Sequence, residues 1–163
     1  MGDVMRKLRL ISCMIVAVLC CSLLAPTVDG ASTFVADLDL YRTNNKMTSD
    51  AARNLTSYVT AERLFARSLK KPAPETRGLV RLYLTVLDQV DDATRRVVRD
   101  QRASDRVLID VVALARDKRV EAAWIVLKRG AAGQERFLAT IARTRLLVTR
   151  CRELRAQLTQ QGG

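Results

Sequence analysis

The chain has 163 residues, and its 28 basic and 17 acidic residues give a formal charge of +11. It contains no His, which excludes Ser–His and Cys–His nucleophilic pairs and His-ligated metal sites. Few residues are Gly, Pro or aromatic while 48% are apolar, and this favours one all-helical domain over a β-sandwich. The positive charge favours acidic partners.

The first 30 residues have the pattern of a secretory signal peptide. Three basic residues precede an apolar run over residues 10–25, and Val28 and Gly30 suit the −3 and −1 positions of a cleavage site. The run is shorter than the roughly 20 residues that a membrane span needs. We therefore expect a secreted, extracellular protein. An uncleaved signal anchor, or lipid attachment at Cys20 or Cys21, is the alternative.

Apolar periodicity predicts an all-α fold, a bundle of four main helices that covers residues 48–160. A short N-terminal helix and turn over residues 31–47 are expected before it, and a frayed tail over residues 161–163 after it. The predicted main helices cover residues 48–71, 75–102, 104–129 and 134–160. This architecture is similar to that of secreted four-helix bundles, including helical cytokines, but no sequence motif extends the similarity to function.

Turn and capping residues set these boundaries. Residues 43–45 favour a turn, and Thr48 suits the N-cap of the first main helix. Pro72 and Pro74 end that helix. Ser104 suits the cap of the third main helix, and the glycines in residues 130–133 suit its end.

The apolar pattern is clearest in the second predicted helix. Its apolar residues recur at alternating steps of three and four, which places them along one side of a helix. They are Val80, Tyr83, Leu87, Val90, Thr94 and Val97. Such a broad apolar face must be covered by other helices.

Arginines supply the candidate binding residues, since a guanidinium group binds phosphate or sulfate bidentately. One set would line a single face if the second helix continued through Ser104, and a second set recurs every seven residues in the last helix. The candidates are Arg95, Arg99, Arg102 and Arg106, followed by Arg136, Arg143 and Arg150. A solvated basic face without a ligand is the alternative reading.

Three single residues attract attention. Glu62 falls within an apolar face, where we expect it to be partly exposed and paired with an Arg of a neighbouring helix. Asn54 begins an Asn-Leu-Thr sequon and is a glycosylation candidate. Cys151 is the only cysteine after residue 30, so it is either a buried free thiol or the site of a disulfide that links a homodimer.

These features favour a secreted, non-enzymatic binding protein that presents basic helix faces to an acidic or sulfated macromolecule, either a protein or a polyanion. We identify no catalytic, cofactor-binding or metal-binding residues and expect no cofactor. An amphipathic bundle that associates with membrane lipid is the alternative. An enzyme using carboxylates or Lys is a third hypothesis. The secretion signal and the lack of interleaved aromatic residues disfavour nucleic acid.

Overall fold

The computed structural model describes residues 30–69 and 72–161, which form helices and short turns but no strand. The long helices are Gly30–Ser68 (α1), Arg77–Arg116 (α2) and Val120–Gln161 (α3), and a 3-10 helix, Pro74–Thr76, precedes α2. The predicted all-α class is confirmed. All but the last residue of the predicted signal peptide lies outside the described residues, as do residues 70–71 and 162–163. The chain forms two compact units that divide after Ala36, and every contact described below lies within the second unit.

The predicted count of four main helices is not confirmed, because the helical breaks fall elsewhere. The turn predicted at residues 43–45 and the cap at Thr48 are wrong, since α1 runs through both. The Thr48 hydroxyl donates to the carbonyl oxygen of Asn44 at 3.1 Å, a bond compatible with a helix interior. Asn45 is buried against α2, where its side-chain nitrogen donates to Asp105 at 2.8 Å.

The break predicted near Ser104 is also wrong, and α2 continues to Arg116. Ser104 is a buried residue in mid-helix rather than an N-cap. Its hydroxyl is hydrogen-bonded to the Tyr41 hydroxyl of α1, with 2.9 Å between the oxygens. The hydrogen bond to α1 therefore explains why a serine lies at this buried position. The second predicted helix and the first part of the third belong to one continuous helix, α2.

Gly130 and Gly133 lie inside α3 and do not end it. A glycine after a helix end usually adopts positive φ, and none of the described glycines does so. At Gly130 an added Cβ would stand 2.5 Å from Val107 Cγ1 and 3.1 Å from the Tyr41 hydroxyl. The missing side chain thus allows α3 to approach both α1 and α2 closely.

The chain reverses between α2 and α3 at residues 117–119, inside the third predicted helix. The amide of Arg119 donates to the carbonyl oxygen of Leu114 at 2.9 Å, and that of Lys118 donates to Ala115 at 3.1 Å. Lys118 has a φ of 61°. These bonds and the left-handed residue form a Schellman motif, which satisfies the last carbonyl groups of α2.

Contacts between side chains show how the helices run. Glu62 of α1 bonds Tyr83 near the start of α2, while Asn45 bonds Asp105 near its end, so α1 and α2 are antiparallel. Gln134 of α3 donates to the Tyr41 carbonyl oxygen, and Arg155 donates to Glu62; hence α3 runs parallel to α1. All six residues of the predicted apolar stripe in α2 are buried, which confirms the helical phase.

A buried polar layer crosses the three helices. Gln101 donates to the side-chain oxygens of Asn45 at 3.0 Å and Asp105 at 2.9 Å. The Gln134 amide donates to the Ser104 hydroxyl at 3.3 Å, which also bonds Tyr41. Burial raises the pKa of Tyr41, although its bond to Ser104 partly opposes this. These side chains satisfy most of one another's hydrogen-bonding groups in the interior, although the side-chain oxygen of Gln101 has no partner among the described residues.

Candidate anion-binding groove

A cavity of about 470 Å³ lies between α1 and α2. Arginines from both helices line it, together with three threonines and the apolar side chains of Val59 and Val98. The arginines are Arg63, Arg95, Arg99 and Arg102, and the threonines are Thr56, Thr60 and Thr94. We call this cavity the basic groove.

One carboxylate partly neutralises the basic groove. Asp91 forms ion pairs with Arg63 across the helices and with Arg95 one turn along α2, at 3.0 Å in the second case. Arg99 meets only Asp100, at 3.9 Å, and its side chain is 77% exposed. Arg102 has no ion-pair partner among the described residues. Two guanidinium groups thus remain available for an anion.

Thr94 has an unusual environment among the threonines of the basic groove. The hydroxyls of Thr56 and Thr60 each donate at 2.9 Å to the carbonyl oxygen four residues earlier. Thr94 is only 4% exposed, yet its Oγ1 has no hydrogen-bond partner within the described chain. A buried hydroxyl without a partner lowers the stability of a protein by about 1–3 kcal/mol. Thr94 therefore brings to the lining of the groove a polar group that the described protein groups do not satisfy.

The structure brings together part of the first predicted arginine set. Arg95, Arg99 and Arg102 line the basic groove, and α2 continues through Ser104, which was the condition for Arg106 to join them on one face. Arg106 is exposed on the same helix but does not line the groove. The prediction missed Arg63, whose place beside α2 depends on the packing of two helices.

The predicted arginines of α3 lie away from the basic groove. Arg136, Arg143 and Arg150 are all exposed, as their spacing of seven residues indicates. Arg150 pairs with Glu153 at 3.1 Å, whereas Arg143 has no ion-pair partner among the described residues. Arg136 lines a second cavity of about 590 Å³, with Tyr41 and Gly130 deeper in the protein.

Glu62 is the one carboxylate buried in the core of the described residues. It is paired with an Arg of a neighbouring helix as predicted, but it is 2% exposed rather than partly exposed. Arg155 donates to Oε1 at 2.8 Å and the Tyr83 hydroxyl donates to Oε2 at 2.7 Å. The bond to Glu62 raises the pKa of Arg155. Burial, then the bond to Glu62, raises the pKa of Tyr83.

This arrangement places the Glu62 carboxyl as a hydrogen-bond acceptor between two donors. No group of three or more His, Cys, Asp or Glu in the described part of the chain could hold a metal ion. Glu62 is consequently placed to join α1, α2 and α3 through charge-assisted hydrogen bonds, and it is the only buried acid among the described residues.

Cys151 is a free thiol with no exposed surface, as the buried alternative predicts. Burial raises the pKa of its thiol, while a hydrogen bond with Tyr58 acts in the opposite direction. A disulfide between two chains would require this buried thiol to become exposed, and the homodimer linkage stays a prediction. Asn54, by contrast, is exposed on α1, where its side chain is accessible for glycosylation.

No protein-family model matches the chain, and neither a curated protein nor a solved structure matches it significantly. Among the described helices, none combines the length and apolar character needed to cross a bilayer. The candidate site therefore rests on the groove's own residues and charges.

Proposed function

We propose that this chain is a secreted, non-enzymatic helical-bundle protein that binds an acidic or sulfated macromolecule through its basic helix faces. The observation that carries the proposal is the basic groove, where four arginines surround a single carboxylate. Arg99 and Arg102 provide the charge that Asp91 leaves uncompensated. Bidentate guanidinium contacts suit sulfate, phosphate and carboxylate groups alike.

The overall charge supports the same function over a longer range. A formal charge of +11 draws polyanions towards the protein and accelerates their association. The exposed arginines of α3 add to this field outside the groove. Because exposed charges are screened within about 8–10 Å at physiological salt, binding should weaken steeply as salt is raised.

Heparin chromatography of the full secreted chain tests this proposal. We expect salt-dependent retention, and the double variant R99Q/R102Q should elute at lower salt than the wild type. The matched control, R77Q/R81Q, removes the same charge from exposed positions of α2 that do not line the groove, so its elution should change less. Elution of the wild type at low salt, like a neutral protein, would refute the proposal.

Lipid association remains the alternative proposal, supported by large apolar side chains at the surface. Leu64, Ile109 and Leu146 are 61%, 67% and 72% exposed, and they lie on three different helices. The main apolar stripes, however, are buried against one another, and lipid could reach them only if the helices separated. Anionic vesicles that shift the emission of Trp124 or increase helicity would support this alternative.

A further inference from the structure

We infer that the basic groove is a discrete site for one sulfate group of a glycan chain, and that Thr94 donates a hydrogen bond to that group. The inference rests on the proposed function and makes it more specific. A field of exposed arginines would bind any polyanion loosely. A site with a defined donor in its floor would instead select a group of matching size and geometry.

The buried hydroxyl is the first reason. A helical threonine has two accessible side-chain rotamers, one of which bonds the preceding turn. Thr94 does not make that bond, and its Oγ1 lacks any partner in the described chain. Thr94 lines the basic groove, and a rotation about χ1 to the second rotamer would be needed to bring the buried Oγ1 to an oxyanion in the groove.

The arginine arrangement is the second reason. Arg95, Arg99 and Arg102 follow one another by three or four residues, so they lie along one side of α2. Arg63 lies opposite them on α1, where it forms an ion pair with Asp91 of α2. A tetrahedral oxyanion has enough acceptor oxygens to bond Thr94 and two guanidinium groups together. The volume of about 470 Å³ accommodates one such group and part of a sugar ring.

Asp91 gives the site its selectivity. It holds Arg63 and Arg95 in place while repelling an anion that approaches its own side of the groove. The ligand group is therefore directed towards Arg99 and Thr94. A highly charged macromolecule without a compact oxyanion, such as an acidic peptide, gains the general attraction but cannot reach the hydroxyl in the same way.

Calorimetric titration with a heparin-derived tetrasaccharide and its desulfated counterpart tests the inference. Thr94→Val keeps the shape and charge of the groove and should weaken tetrasaccharide binding about tenfold. Its stability should be unchanged or higher, because the lost hydroxyl had no partner. The control Thr85→Val removes an exposed hydroxyl of α2 that bonds its own helix and should leave the affinity within about twofold.

A charge pair provides the second comparison. Arg99→Gln should weaken binding more than Arg96→Gln, since Arg96 is also exposed on the same helix but does not line the groove. Wild-type affinity in Thr94→Val, or equal losses in the two arginine variants, would overturn the inference. Heparin retention of the wild type could still persist in that case and would leave the broader proposal standing.

Phosphorylated lipid is the competing source of a tetrahedral oxyanion. Vesicles that contain phosphatidic acid should bind the wild type and Thr94→Val alike if the groove takes a glycan sulfate. Binding to these vesicles that depends on Thr94, without binding to the tetrasaccharide, would overturn the assignment to a glycan.

Discussion

Replacing Arg155 by Met removes the guanidinium group that faces the buried Glu62 carboxylate while keeping most of the side chain's apolar length. The carboxylate is almost fully buried, at 3% side-chain exposure, whereas the arginine is 43% exposed. The Tyr83 hydroxyl still donates to the carboxylate. The variant therefore leaves a buried charge with one donor in place of two.

The expected loss follows from these contacts. Breaking a fully buried ion pair costs about 3–5 kcal/mol, and the exposure of Arg155 reduces that figure because solvent screens its charge. The arginine also lies over the Phe65 ring at 4.6 Å, a contact worth about 0.5–1 kcal/mol at a partly exposed site. Together these terms predict that the free energy of unfolding falls by about 2–3 kcal/mol.

Urea unfolding followed by far-UV circular dichroism measures the change. Arg152→Met is the matched control, because Arg152 lies over the Tyr58 ring at 5.2 Å and has no ion-pair partner among the described residues; it should cost no more than about 1 kcal/mol. In the double variant E62Q/R155M the neutral amide should recover part of the loss. Equal stability of Arg155→Met and the control would refute this account of the buried pair.

Three further predictions concern the turn, the glycines and the thiol. Lys118→Gly should raise the free energy of unfolding by up to about 1 kcal/mol, because Gly adopts positive φ without steric cost; a lower urea midpoint would contradict this. Gly133→Ala should raise the free energy of unfolding by about 1 kcal/mol, since an added Cβ meets nothing within 4 Å. Gly130→Ala should lower it, because the added Cβ would clash with Val107. A higher urea midpoint for Gly130→Ala than for Gly133→Ala would be inconsistent with this packing. Cys151 should resist alkylation until the protein is unfolded, as followed by mass spectrometry of its own peptide. Burial raises the pKa of this thiol in the folded state. Its contribution to stability is therefore complete below the ordinary thiol pKa and is lost as the pH rises through the folded-state pKa. Urea midpoints that increase over this pH range would refute the predicted loss of stability.

The helical phase could be predicted because it depends on local spacing. Val80, Tyr83 and Val97 are buried because a period near 3.6 residues fixes which side of a helix they occupy. The helix ends were harder to predict. Ser104 and Asn45 have the side chains of caps and turns, yet each bonds a residue about 60 positions away in sequence.

The turn between α2 and α3 shows the converse case, a helix end formed by a residue that is not typical of helix ends. Glycine is the usual left-handed residue after a helix, so Gly130 and Gly133 suggested an end that does not exist. The chain actually reverses at Lys118, which adopts positive φ without being a glycine. Local residue preference was outweighed here by the packing of α3 against its neighbours.

The candidate site was predictable in part. The spacing of Arg95, Arg99 and Arg102 placed them on one face, and the structure gathers them in the basic groove. Arg63 could not be added from sequence, because its position depends on which side of α1 meets α2. The missing hydrogen bond of Thr94 is invisible in a sequence, where threonine at this point reads as one more member of the apolar stripe.

The buried polar layer has a consequence for the uniqueness of the fold. Apolar stripes alone would let one helix slide along another by seven residues and still bury its apolar side chains. Such a shift would separate Asn45 of α1 from Gln101 and Asp105 of α2, with a cost of about 1–3 kcal/mol for each buried group left unpaired. We therefore expect the layer to fix the register of the helices. If its polar residues were replaced by apolar ones, the helices would still associate, but they could do so in more than one register.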